Sequence, residues 1–111
     1  MRVTSSLFVS ALVRRYYTLG AVAIIARRGA EEAGAILVTL DRLAGSLDLY
    51  GPAPQSAFEE GRPTDRLFQL IVAAESNEII TARLSRETRF DPDVWIVAIE
   101  DREGRVLFET V

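Results

Sequence analysis

The sequence has no cysteine, no histidine and, read residue by residue, no lysine: all 13 basic side chains are arginines. Each absence removes a class of chemistry. Without cysteine there is no disulfide, thiolate nucleophile or Cys-based zinc site. Without histidine the commonest metal ligand is gone, and so is the one side chain that titrates unperturbed near neutral pH. No Ser-His-Asp triad can be assembled. Without lysine there is no Schiff base and no phosphate-binding P-loop lysine. The all-arginine basic complement fits a GC-rich coding sequence. No apolar run reaches the ~20 residues of a membrane span. Met1-Arg2 followed by Leu7–Val13 resembles a signal peptide only faintly, because Arg14-Arg15 follow with no A-x-A cleavage pattern.

What is present describes an ordinary domain. The 111 residues are 49% hydrophobic and carry 16 acidic side chains, for a net charge of -3. That length fits one domain over residues 1–111. A mildly acidic chain with scattered arginines does not expect nucleic acid, which needs clustered positive charge. The expected setting is cytoplasmic and away from membranes. No cofactor is expected.

Thr4-Ser5-Ser6 supplies a helix cap. Phe8, Val9, Leu12, Val13, Tyr16 and Leu19 make one apolar face, and Gly20 is a stop, so a helix is expected over 5–19. Residues 21–26 and 34–40 read as two strands, expected to pair as a hairpin. A turn over 41–45 leads to a third strand at 46–50, broken by Gly51-Pro52-Ala53-Pro54. The stretch 51–65 is the longest irregular one, a solvated or functional loop. A fourth strand follows at 66–74. Ser76 caps a short second helix, ended by Asp91-Pro92, that bears Ile79, Ile80, Ala82, Leu84 and, in its last turn, Phe90. Arg83 and Glu87 are spaced to pair on it. A strong β run at 94–99, a turn at 101–104 and a closing strand at 105–109 complete the chain. The expected fold is α+β: a mainly antiparallel sheet of about six short strands, an N-terminal helix and a second short helix, in two layers. Leu12, Tyr16, Ile36, Val38, Val72, Trp95, Val97 and Ile99 are the expected core.

Three groups of residues are candidates for function. Arg27, Arg28 and Gly29 form a turn able to hold a phosphate or carboxylate through guanidinium forks and amides. Glu31 and Glu32 in the same loop offer those arginines an internal alternative. Arg83, Arg86 and Arg89 recur every three residues, with Arg14-Arg15 as potential neighbours in the fold. Together with Tyr17 on the outer side of the first helix, Arg14, Arg83 and Arg86 are the expected partner contacts. Asp91 and Asp93, flanking Pro92, could hold a metal ion or share acid–base work. Aspartate is equally at home there as a turn residue. Trp95 at the head of a β run reads as core or interface.

The chain resembles a small bacterial family known only as domain of unknown function 1491. The likeness runs through Ser10-Ala11-Leu12-Val13-Arg14-Arg15 and Arg27-Arg28-Gly29 with Glu32-Ala33-Gly34-Ala35-Ile36. It continues in Tyr50-Gly51-Pro52-Ala53, Arg62-Pro63, Arg83-Leu84-Ser85-Arg86-Glu87 and Phe90-Asp91-Pro92-Asp93-Val94-Trp95. The resemblance implies one compact domain and transfers no activity, cofactor or catalytic residue. The leading expectation is a non-catalytic domain acting through a protein partner or as a homo-oligomer. The alternative is an anion-binding or carboxylate-based, metal-dependent enzyme built on Arg27, Arg28, Asp91 and Asp93.

Overall fold

A computed structural model of the chain describes residues 3–54 and 66–111. Helix α1 (Ser5–Thr18) begins where Thr4 accepts the Leu7 amide on its hydroxyl at 3.2 Å. Two more first-turn amides, of Ser5 and Ser6, donate to the carbonyls of Glu32 and Glu31. The helix therefore starts against the loop that follows the first strand. It stops at Gly20, whose φ of +82° lets the chain turn back. Val9, Leu12 and Tyr16 form its buried stripe, flanked by half-buried Phe8 and Val13. Leu19, expected on that stripe, lies past the last turn and is exposed.

The strands are β1 (Val22–Arg27), β2 (Ile36–Asp41), β3 (Leu47–Pro52), β4 (Leu67–Glu75), β5 (Trp95–Glu100) and β6 (Glu109–Thr110). They form one sheet in the order β1-β5-β2-β3-β4-β6. The expected hairpin between β1 and β2 does not form. Strand β5 inserts between them, antiparallel to β1 and parallel to β2. The connection between β1 and β2 is spent on β5 instead: Ala30 N donates to Asp93 O, and Trp95 N to Ala35 O. Four of the six β5 residues in Trp95-Ile96-Val97-Ala98-Ile99-Glu100 are buried in sequence from Trp95, bar Ala98, and such a run suits a central strand. β6 pairs parallel with the start of β4. The sheet is thus mixed, not mainly antiparallel.

The expected closing strand over 105–109 shrinks to Glu109–Thr110, because residues 105–107 are held by α1 instead. The Tyr16 hydroxyl donates to Arg105 O at 2.6 Å and accepts the Leu107 amide at 3.1 Å, while Arg15 donates to Leu107 O.

Helix α2 (Asn77–Phe90) is capped by Ser76, whose hydroxyl accepts the Ile79 amide. It packs Ile80 and Leu84 against Leu37, Leu49, Ile96, Ile71 and Val72. Helix α1 packs instead on the alternate residues, Ile36, Val38, Leu40, Val97 and Ile99, with Tyr50, Phe68, Trp95 and Phe108 completing the larger core. Side chains alternate across a strand, so the helices lie on opposite faces and the domain has three layers, not two. Leu12, Tyr16, Ile36, Val38, Trp95, Val97 and Ile99 are buried as expected; Val72 is half-buried beneath α2. Helix α2 sits over β3 and β4 and leaves the β1 end of its face bare. Val22 and Ile24 there are 45% and 52% exposed. The irregular stretch expected over 51–65 lies outside the described residues from Gln55 onward; before it, Pro52 closes β3 and Ala53 N donates to Leu67 O.

Candidate functional site

The Arg27–Gly34 loop and the Asp91–Trp95 turn meet, as the enzyme alternative requires. Their contact is consumed by structure. Arg27 Nη1 donates to Pro92 O at 2.9 Å and Val94 O at 2.7 Å. The Arg28 guanidinium lies 5.2 Å over the Trp95 ring, within cation–π range. Trp95 Nε1 donates to Ala30 O at 2.8 Å. A Cβ on Gly29 would stand 2.1 Å from Asp93 O, and one on Gly34 2.3 Å from the same atom. Both glycines are there because the two segments touch backbone to backbone. Gly34 O also accepts the fully buried Ser5 hydroxyl at 2.6 Å, which joins the start of α1 to the junction.

Asp91 Oδ1 accepts the Asp93 amide at 3.0 Å, a local turn closure. Both aspartates border a depression of about 330 Å³ with Ala30, Ala33, Gly34 and Ala35. Arg27 and Arg28 do not line it. The guanidiniums and the carboxylates therefore share the junction without facing one cavity. Among the described residues, no three acidic side chains come together to hold a metal ion.

The arginine ridge is divided. Arg83 pairs with Glu87 at 3.0 Å, and Arg86 and Arg89 are exposed. Residues 79, 83, 86 and 90 fall on one stripe at helical spacing. Its ends are Ile79, 51% exposed, and Phe90, 81% exposed. Arg14, Arg15 and Tyr17 do not join this stripe, because α1 lies across the sheet from α2. Tyr17 is exposed beside Arg14 on a separate surface.

One cluster has no counterpart among the residues singled out from the sequence. Asp101 is buried, and its carboxylate accepts from Glu103 N, Arg105 N, Arg105 Nε and Arg105 Nη2 at 2.8–3.1 Å. The Arg105 guanidinium, above all, holds this carboxyl down at about 2. Arg105 also donates to Leu19 O at the end of α1. Burial raises the Tyr16 hydroxyl above its usual value in the same corner. The sequence signal was the Asp101–Gly104 turn, which gives no hint that Arg105 folds back onto Asp101. A second charged clasp holds β3: Arg42 pairs with buried Asp48, which also accepts the Ala74 amide at 2.8 Å.

A model of a protein family of unknown function, DUF1491, matches residues 3–109. The chain belongs to the DUF1491 family. Among solved structures, protein Atu0922 from A. tumefaciens, studied in solution, shares 43% identity. It superposes with a TM-score of 0.86 over all of this chain and 96% of its own. The crystal structure of a DUF1491 family protein from Caulobacter crescentus CB15 shares 34% identity, with a TM-score of 0.80 over all of this chain and 99% of its own. An NMR structure of a DUF1491 family protein from the same organism gives 33% identity and a TM-score of 0.81. It covers all of this chain and 98% of that one. No curated protein matches the chain. DUF1491 is a family of unknown function, so membership brings a fold and no activity. No helix among the described residues is long and apolar enough to cross a membrane.

Proposed function

We propose that this DUF1491 chain is a single-domain, cytoplasmic, non-catalytic protein that acts by binding a protein partner, a second copy of itself included. The observation that carries this reading is the outer stripe of α2. Ile79 and Phe90 stand exposed at its ends, with Arg83 and Arg86 between them. Aromatic side chains and arginine are enriched at protein interfaces, and Phe90 belongs to neither core. The arginines and aspartates that could have served chemistry are engaged in holding the β1–β2 loop to β5. Affinity capture from the native cell with mass spectrometry tests the reading. Proteins recovered with the wild type should be lost with Phe90→Ser and Arg86→Glu. Recovery of the same proteins with both variants would contradict the role of the stripe.

The anion-binding or metal-dependent alternative draws its support from the depression bordered by Asp91 and Asp93. Titrating Mg²⁺, Mn²⁺ and Ca²⁺ while following both aspartates by NMR separates the two. Saturable shifts at both, with turnover of a phosphoester abolished by Asp93→Asn, would replace the binding reading with the enzymatic one.

A further inference from the structure

We infer that β1 is a self-association edge, along which two copies of the chain pair antiparallel through residues 22–26 and join their sheets across a two-fold axis. This goes beyond the interaction reading above, which is carried by α2: the surface here is β1 and the partner is a second copy.

The two ends of the sheet differ. At one end β6 contributes two residues, exposed Glu109 and Thr110. Such a short, charged strand is a poor template for pairing. At the other end β1 presents six residues, and from Gly20 to Ala26 none is charged and none is proline. Edge strands are normally blunted by a lysine, a proline or a bulge in mid-strand. Here the irregularity falls between Ile25 and Arg27, at the strand's end, and Val22 to Ile25 run in regular register with β5. Val22 and Ile24 point away from α1 and are about half exposed, although α1 covers the alternate residue Ala23 completely.

Charge selects the direction of pairing. Arg27 and Arg28 follow the apolar segment directly at its far end, while Glu31 and Glu32 come later in that loop, where their carbonyls meet the start of α1. Glu100, paired across from Val22, and Glu103 lie at its near end, bordering the same depression as Gly20 and Val22. Arg102 shares that end and offsets one of the two glutamates, while Asp101 and Arg105 neutralise each other. Arg27 is held by two carbonyls and Arg28 rests over the Trp95 ring, and both keep their positive charge at that end, Arg28 on the exposed surface. An antiparallel pair lays the arginine end of each copy on the glutamate end of the other, twice. Parallel pairing would set like ends together. Centred on Ile24, the antiparallel pair also places Ile24 against its own counterpart and Val22 opposite the counterpart of Ala26. An isologous contact of this kind closes after two copies, and the blunt β6 edge does not extend it.

Sedimentation velocity on the full chain from ~1 μM to ~1 mM, a span that captures micromolar association, tests the proposal. The wild type should move from the 12.3 kDa of one chain to twice that mass. Ile24→Lys, a change at a half-exposed position, should remain monomeric with an unchanged amide NMR spectrum elsewhere, while Phe90→Ser should dimerise like the wild type. Arg28→Glu and Glu103→Arg should each weaken the dimer several-fold, and the double variant should regain it. A wild type that stays at single-chain mass to ~1 mM would overturn the edge pairing, leaving the interaction reading to the capture experiment. Dimerisation that survives Ile24→Lys, or that Phe90→Ser abolishes, would overturn it equally and assign self-association to another surface.

Discussion

The two halves of the sheet are built from similar residues and treated differently. β2 is apolar from Ile36 to Leu40 apart from Thr39, and all five of these residues are buried. β1 is apolar from Val22 to Ala26, yet of these only Ala23 is buried. The difference lies in what covers them. Around β2 and β3, α1 closes one face and α2 the other. At β1 only α1 is present. The comparison teaches that an apolar run records the environment a strand is suited to, and that the fold of one chain need not supply all of it. Four exposed side chains in β1 and α2 (Val22, Ile24, Ile79 and Phe90) stay outside both cores.

Substitutions can break or sharpen that contrast. The largest effect belongs to the closed half. Leu40→Ala removes a fully buried side chain and should cost ~2–5 kcal/mol in denaturant melts, as should Leu12→Ala on the helix above. A loss below ~0.5 kcal/mol, the range of surface changes, would mean that the register of the closed half is wrong. Next comes the tie between α1 and the C-terminal segment. Tyr16→Phe leaves the Leu107 amide and Arg105 carbonyl without their partner and should cost ~1–3 kcal/mol. Tyr17→Phe, at its exposed neighbour, should be near neutral; equal losses in the two variants would contradict the assignment.

A smaller effect varies with pH only in acid. Asp101 titrates at about 2 when folded and near ~3.9 when unfolded. A depressed folded value gives stability that is complete above the unfolded value and disappears as pH falls through the folded one. The contribution of Asp101 should therefore fade between about pH 4 and pH 2. Asp101→Asn should lower stability at neutral pH and flatten the stability profile across that window. An unchanged acid slope in the variant would show that Asp101 is not held this way. The smallest effect belongs to the open half. Ile24→Thr and Ile79→Ala should each change the stability of the monomer by less than ~0.5 kcal/mol, whereas Ile80→Ala, one residue along α2 and buried, should cost ~2–5 kcal/mol.

Local structure was largely legible in the sequence. Thr4 and Ser76 cap the helices where hydroxyls were expected to, and Gly20 and Asp91 stop them. The spacing of Val9, Leu12 and Tyr16 marked the buried face of α1. What stayed hidden was long-range. Nothing in residues 21–40 says that β5 will enter between β1 and β2, because pairing partners are chosen by the whole sheet and not by the turn that joins two neighbours. The opposite placement of α1 and α2 follows from that insertion, and it separates Arg14 and Tyr17 from Arg83 and Arg86. At the candidate site, the meeting of Arg27 with Asp91–Val94 could be imagined from residue types. That its guanidinium donates to the carbonyls of Pro92 and Val94 could not. Arg105 folding back on Asp101 was equally invisible, since opposite charges flank many turns and their spacing does not say that the carboxylate will be buried.

The central claim is that β1 is an open edge in one copy and a paired one in two. Amide hydrogen exchange across the whole chain, compared at ~1 μM and ~1 mM, tests it most directly, because edge amides are the groups that pairing would protect. The account predicts slower exchange at high concentration in alternate residues of β1, with β6 and α2 unchanged. Exchange in β1 that is independent of concentration, or protection that appears instead along α2, would contradict it.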